Sequence, residues 1–249
     1  MQRAWRRGLF LGGILVLAGM ACSLDGFSRD FDESARRGCE PERGVKLCKD
    51  FEENESYLAG FEADVGDGGG TLGRDTVASI SPPSSLVAVL PAEAARRVAV
   101  MSKAFVGADP TRIRLAAQLR LVAFPQVEDM KAEFLKIGFT QGVNLVILVF
   151  RNRLFVSRRA AGHYLDCGSL GEMPDGSQDH WARVEIVLEA GPPLRLKGRR
   201  DRSDWVPLEA CPLDWPLTSP TLHIGMPYAK EGPGSWIVRY DNVVFDFSP

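Results

Sequence analysis

The clearest alternation of apolar and polar positions runs from Arg112 to Leu121. Ile113, Leu115, Ala117, Leu119 and Leu121 share one phase, and Arg112, Arg114, Gln118 and Arg120 share the other. Successive side chains of a strand point to opposite faces, so this pattern predicts a half-buried strand of an antiparallel sheet. Val184, Ile186 and Leu188 repeat it against Arg183, Glu185 and Glu189. "VNLVILVF" (143–150) is apolar in both phases and predicts a central strand covered on both sides. Shorter strand signals stand between Gly, Pro, Asp and Asn: "LCKDFE", "SSLVAVL", "RVAVMSKAFV", "AEFLKIGF", "RLFVSR", "HYLDC", "LRLKG" and "TLHIGM". No stretch keeps a 3.6-residue period over three turns. Strands without crossover helices predict an all-β, antiparallel two-sheet sandwich.

The last segment, "GSWIVRYDNVVFDF" (234–247), carries a phase slip. Trp236, Val238 and Tyr240 alternate on even positions, Val243, Phe245 and Phe247 on odd ones. A one-residue slip turns every later side chain to the other face unless the backbone bulges, so a bulge or bend is expected at Asp241-Asn242. Its expected partner is the first strand, "LCKDFEE".

The N-terminus follows a different logic. Arg3, Arg6 and Arg7 precede an apolar stretch from Leu9 to Ala21, too short for a comfortable membrane span and suited to a signal peptide, 1–21. It ends at Cys22, as in a bacterial lipoprotein signal whose cysteine is lipidated. The alternative is plain secretion, with Gly19 and Ala21 as the small residues of a cleavage site. Five cysteines, at 22, 39, 48, 167 and 211, leave an odd thiol unless Cys22 carries lipid. Four cysteines admit three connectivities. Local closure favours Cys39–Cys48 and Cys167–Cys211, and free buried thiols are the alternative. Residues 22–38 are polar and aperiodic and are read as a tether, leaving 39–249 as one domain. The expected location is the cell envelope, on a lipid anchor. A net charge of -2 with interspersed signs supplies no basic field for nucleic acid.

"LCKDFEE" near the start, "VRYDNVVFDF" at the end, "SSLVAVLP" and "HWARVEIVLEAGPPLRLKG" between them resemble the concanavalin A-like (laminin-G-like) jelly-roll superfamily over roughly 45–248. That resemblance implies a jelly roll and brings in sugar-binding modules, glucanases and lyases. Glucanases of this fold carry E-x-D-x-E or E-x-D-x-x-E on a central strand. The nearest match, Glu62-Ala-Asp64-Val-Gly-Asp67, ends on Asp and runs into "GDGGGTLG", so it is read as a solvated loop. Glu185 and Glu189, and the row Arg112, Arg114 and Arg120, are read as a solvated sheet face, with an acidic glycan as the alternative partner of the arginines. The resemblance also implies calcium between loops and terminal strands, for which Asp50, Glu52, Asp241 and Asn242 supply hard oxygens; the alternative is that Asp241 and Asn242 satisfy the bulge by hydrogen bonding. His163, His180 and His223 lie at no metal-binding spacing.

Trp205, Trp215, Tyr228 and Trp236 fall in a Pro- and Gly-rich region, where exposed rings stack on sugars. The alternative packs Trp205 and Trp215 over Cys211 as a small satellite core. Together these features lead to the expectation of a non-catalytic, lipid-anchored envelope protein whose lectin-like domain recognises a glycan or an envelope partner. Two alternatives stay open: a glycan-active hydrolase or lyase with an atypical site, and a structural partner in an envelope complex.

Overall fold

The computed structural model describes residues 45–249 except 53–55, 67–68, 93–96, 126, 128 and 174–179. The leader, Cys22, the tether, Cys39 and Asp67 lie outside the described residues. The described chain is β-structure with one short 3-10 turn, Thr140–Gly142. The strands are β1 (Val45–Lys49), β2 (Glu62–Asp64), β3 (Thr71–Asp75), β4 (Ser85–Leu90) and β5 (Ala99–Ala104). Then come β6 (Arg112–Ala123), β7 (Lys131–Gly138), β8 (Asn144–Phe150), β9 (Arg153–Ala160) and β10 (His163–Glu172). The last are β11 (Ala182–Glu189), β12 (Arg195–Arg200), β13 (Val206–Pro207), β14 (Thr221–Ala229) and β15 (Trp236–Ser248).

They form two antiparallel sheets packed as a jelly-roll sandwich. One has the order β13-β12-β11-β6-β15-β4-β3, with β1 also on β15; the other has the order β10-β9-β8-β7-β14-β5-β2. Non-consecutive neighbours such as β6 and β15 show that the chain crosses repeatedly between layers. The inward phases of both sheets meet in one core, in which Leu86, Ile113, Leu115, Leu119, Leu135, Ile147, Ile186 and Ile224 are all but inaccessible. The apolar phase read from 112–121 is the inward phase of β6.

β15 organises the eight-stranded sheet. One edge pairs with β6 along its length; the other pairs with β4 through Trp236–Tyr240 and with β1 through Val243–Asp246. Leu47 stands opposite Phe245, so the two ends of the domain are adjacent strands, as the last segment's pattern predicts. The register shifts between Asp241 and Val244, and Asn242 has φ 47°, a left-handed conformation that Asn tolerates. Trp236, Val238 and Tyr240 before the bulge, and Val243 and Phe245 after it, therefore all face the core. Asp241 is fully buried. Its Oδ2 accepts the N–H groups of Ile80 (2.8 Å) and Ser81 (3.0 Å), and its Oδ1 accepts the Ser81 hydroxyl (2.7 Å) and the Asn242 N–H (2.8 Å).

The outer face of this sheet differs from the solvated surface expected of it. Glu185 is only 2% exposed and sits between Arg114 (2.6 Å) and Arg199 (2.7 Å). Long arginine stems fold over the strand and bury the carboxylate between them. The Arg112 and Lys197 side chains approach Glu189 in turn, and Arg239 is paired with Asp75. Alternation predicts the face of Arg114 correctly but not the cross-strand neutralisation.

Cys167 and Cys211 are joined by a disulfide, and Cys48 is also disulfide-bonded; Cys39, its expected partner, lies outside the described residues. A disulfide is compatible with an exported protein. No helix among the described residues is long and apolar enough to cross a membrane.

Candidate active site

β7, β9, β10 and β14 carry the polar residues of the outer face of the seven-stranded sheet, and the pairings of β7, β10 and β14 are irregular. On β7 the register slips between Glu133 and Leu135. Phe134 and Leu135 both enter the core, while Glu133 and Lys136, three residues apart, both face outward. On β14 the register slips between Ile224 and Tyr228. His223 then stands opposite Lys136, and Tyr228 opposite Glu133. Gly225 has φ 116°, and a Cβ there would lie 2.3 Å from the Ala99 carbonyl oxygen, so the slip needs glycine. Bulges re-aim side chains in this way, and without them strict alternation would hide half of this set.

Glu133 is 1% exposed. Its Oε1 accepts the Tyr164 hydroxyl (2.5 Å) and an Arg159 N–H (3.0 Å), while its Oε2 is buried with no partner among the described residues. Lys131 places its ammonium 4.0 Å from the centre of the Tyr164 ring, and Arg159 lies 5.6 Å from that of Tyr228. The two tyrosine rings are 6.5 Å apart. Three cations, two phenols and one carboxylate thus share a small area. Burial lowers the pKa of Lys136; Glu133 opposes that shift and Arg159 adds to it. Burial, then the hydrogen bond to Glu133, push the Tyr164 phenol well above its ordinary pKa, so it keeps its proton. Burial, with the charge of Lys136, pushes His223 down to about 3, so its imidazole is neutral at ordinary pH.

Beside this cluster lies a depression of about 320 Å³, floored by Leu148, Phe150 and Phe155 and walled by Lys131, Ser157, Tyr164 and Asp166.

Of the residues expected from sequence to bind a ligand, only Tyr228 reaches this face. Trp236 is a core residue, 1% exposed, packed against Phe124 and Phe134. Trp215, 5% exposed, packs on Phe139 and Arg158. Trp205 is on the edge of the other sheet, over Arg199 and Lys197. No shared aromatic platform exists, because strand phase turns Trp236 inward and the loop after β13 packs Trp215 against Phe139 and Arg158. Glu62 and Asp64 form edge strand β2 rather than a loop, and Asp64 is occupied in accepting the Gly66 N–H. Asp50, Glu52, Asp241 and Asn242 lie close together, but they fit a calcium ion poorly. Asp241 already accepts four hydrogen bonds, Asn242 is tied to Gln118 and Ser81, and among the described residues no three acidic, His or Cys side chains converge as metal ligands. Glu52 has a raised pKa, first from burial and then from the charges of Asp50 and Asp241.

Glu133, Lys136, Arg159 and Tyr164 were not legible as a site. A signal did exist. In "KAEFLKIG" the polar residues Glu133 and Lys136 are three apart, a break in alternation of the kind seen at Asp241-Asn242.

No protein-family model matches the chain, and no curated protein matches it in sequence. Solved structures share its fold. The endo-β-1,4-glucuronan lyase of the fungus Trichoderma reesei superposes with a TM-score of 0.58 at 14% identity, covering 82% of this chain and 96% of the lyase. The cellulose-induced protein Cip1 gives 0.56 at 13%, covering 82% and 98%. A carbohydrate esterase of Shiga toxin-encoding bacteriophage phi24B gives 0.53 at 14%, covering 82% and 99%. At such identities the likeness concerns the fold. It nevertheless corrects the expectation of a non-catalytic lectin-like module: the structures that share this architecture across nearly their whole length include enzymes that act on glycans, and the aromatic platform on which a lectin reading depends is dispersed.

Proposed function

We propose that the chain is a glycan-active enzyme, a polysaccharide lyase that cleaves a uronate-containing polymer on the outer face of its seven-stranded sheet. The observation that carries this reading is the cluster of Glu133, Lys136, Arg159, Tyr164 and Tyr228. Glycoside hydrolysis uses two carboxylates; this cluster contains one, already committed to Arg159 and Tyr164, and Asp166 in the neighbouring depression accepts the Gly168 N–H. Elimination needs different groups. The guanidinium of Arg159 binds the uronate carboxylate, which makes the adjacent C5–H more acidic. The amine of Lys136, inclined by burial to lose its charge, accepts the C5 proton. The C4–O bond breaks as the C4=C5 double bond forms, and Tyr228 gives its phenolic proton to the departing oxygen. Tyr164 and Glu133 hold Arg159 in place.

The test is incubation of the purified chain with polyglucuronate, alginate and pectate while ultraviolet absorbance of an unsaturated uronate end is followed. Absorbance should rise with one of them, and Lys136→Ala should slow it about 10²- to 10⁴-fold. New reducing ends without that absorbance would mean hydrolysis. Binding without cleavage would end the enzymatic reading.

We also propose that residues 1–21 direct export, that Cys22 carries a lipid anchoring the chain to a membrane, and that 22–38 tether the jelly roll, 39–249, in the cell envelope. The arrangement of charge, apolar stretch and cysteine supports this. Radiolabelled palmitate should enter the chain and should fail to enter a Cys22→Ser variant.

A further inference from the structure

The depression beside the cluster has a chemistry of its own. Leu148, opposite Glu133 on the neighbouring strand, and Phe155, opposite Leu148, make an apolar floor one strand away from the polar groups. Tyr164 belongs to both, since its ring walls the depression and its hydroxyl reaches Glu133. A group in the depression is therefore attached to the sugar being handled at the cluster, or to its immediate neighbour.

A bare sugar ring suits this floor badly. Its hydroxyls would leave water and find no partners on Leu148, Phe150 and Phe155, which costs free energy for each one buried. The wall adds the Lys131 ammonium, which lies over the Tyr164 ring, the Asp166 carboxylate, which accepts the Gly168 N–H, and the Ser157 hydroxyl, which makes no hydrogen bond to another described residue although Ser157 is 4% exposed. An ester substituent fits these terms. It has an apolar end, no donor, and one carbonyl oxygen to accept from Ser157. The volume, about 320 Å³, is at the low end of small-molecule sites, enough for one substituted sugar unit and not for a run of chain.

We propose that this depression is a specificity pocket for an O-acyl group, such as acetyl, on the polymer, so that the substrate is an acylated polyuronate. The proposal rests on the lyase reading and adds the substituent to it. The glycan main chain lies along Arg159 and Lys136, while the ester carbonyl meets Ser157 and its methyl meets Phe155 and Leu148.

The experiment compares O-acetylated polyglucuronate and polymannuronate with the same polymers after removal of acetyl by mild base. The purified chain should cleave one acetylated polymer with a kcat/KM about tenfold higher than its base-treated form, as burial of two carbons allows. Ser157→Leu, which fills the depression and removes the donor, should abolish that preference while cleavage of the base-treated polymer persists. Phe155→Ala, which enlarges it, should shift preference toward butyryl over acetyl esters and serves if Ser157→Leu does not fold. Equal rates on both forms, or faster cleavage of the base-treated one, would overturn the pocket and leave the lyase reading intact. Absence of unsaturated product from every polymer would overturn the lyase reading instead. Affinity for the acetylated and base-treated polymers then decides the pocket, and equal or undetectable binding overturns it.

Discussion

Individual polar residues in this sandwich are governed by what burial does to them. Asp241 retains its place because four donors converge on it, and removing them from a partner is costly. Asp241→Ala should lose about 2–4 kcal/mol, since the Ile80 and Ser81 N–H groups would be buried unpaired; urea midpoints measure it. His223 makes a second prediction, with a definite sign. Its ordinary pKa is 6.5 and its folded value about 3. Between those values the unfolded chain binds a proton that the folded chain refuses. Stability must therefore fall as pH is lowered through that window, by up to about 1.4 kcal/mol per pH unit from this group. In His223→Gln that contribution vanishes, so the stability difference between the two proteins should shift in the variant's favour from pH 7 to pH 4. An unchanged difference would show that His223 is not held neutral. For Lys136 the readout is activity. If its neutral amine takes the C5 proton, kcat should rise with pH and level off below the ordinary lysine pKa, and no such limb should remain in Lys136→Ala.

Strands reveal a second layer of control. Alternation made β6, β11 and the central β8 readable, because a long apolar phase has only one stable place to go. β2, β3 and β13 were not readable. They are short edge strands with largely exposed side chains, so burial imposes no pattern on them. The slip in β15 stood out because large rings mark both of its phases, whereas the slip in β7 was disguised by an apolar surround. A further device acts at this scale. The Cys167–Cys211 bridge, with a sequence separation of 44, holds β10, the strand that carries Tyr164, to the loop after β13. Replacing both cysteines by serine should cost about 4 kcal/mol on chain-entropy grounds. It should also lower activity on polyuronate beyond any effect on the folded fraction, because Tyr164 loses its brace. A thermal melt and a rate assay on the folded fraction separate the two effects.

For the whole molecule, β15 is the strand on which closure depends. It is the shared partner of β1, β4 and β6, and Trp236, Tyr240 and Phe245 are among the largest fully buried side chains. Ending the chain at Ser235 should abolish cooperative unfolding altogether, while Trp236→Ala should retain it at a cost of about 3–5 kcal/mol. Denaturant titration of both variants checks the contrast. The sequence by itself determined the fold class, the inward phase of the long strands, the adjacency of the two ends and the bulge at Asp241-Asn242. Each follows from the local rule that apolar side chains leave water and that strands have two faces. Only the tertiary structure decided the chemistry. Glu133 and Tyr164 are 31 residues apart and Glu133 and Arg159 are 26 apart, and they meet through the register of four strands and a slip in one of them. The proton affinities of Lys136, Tyr164 and His223 follow from burial, which no residue possesses until the sheets close.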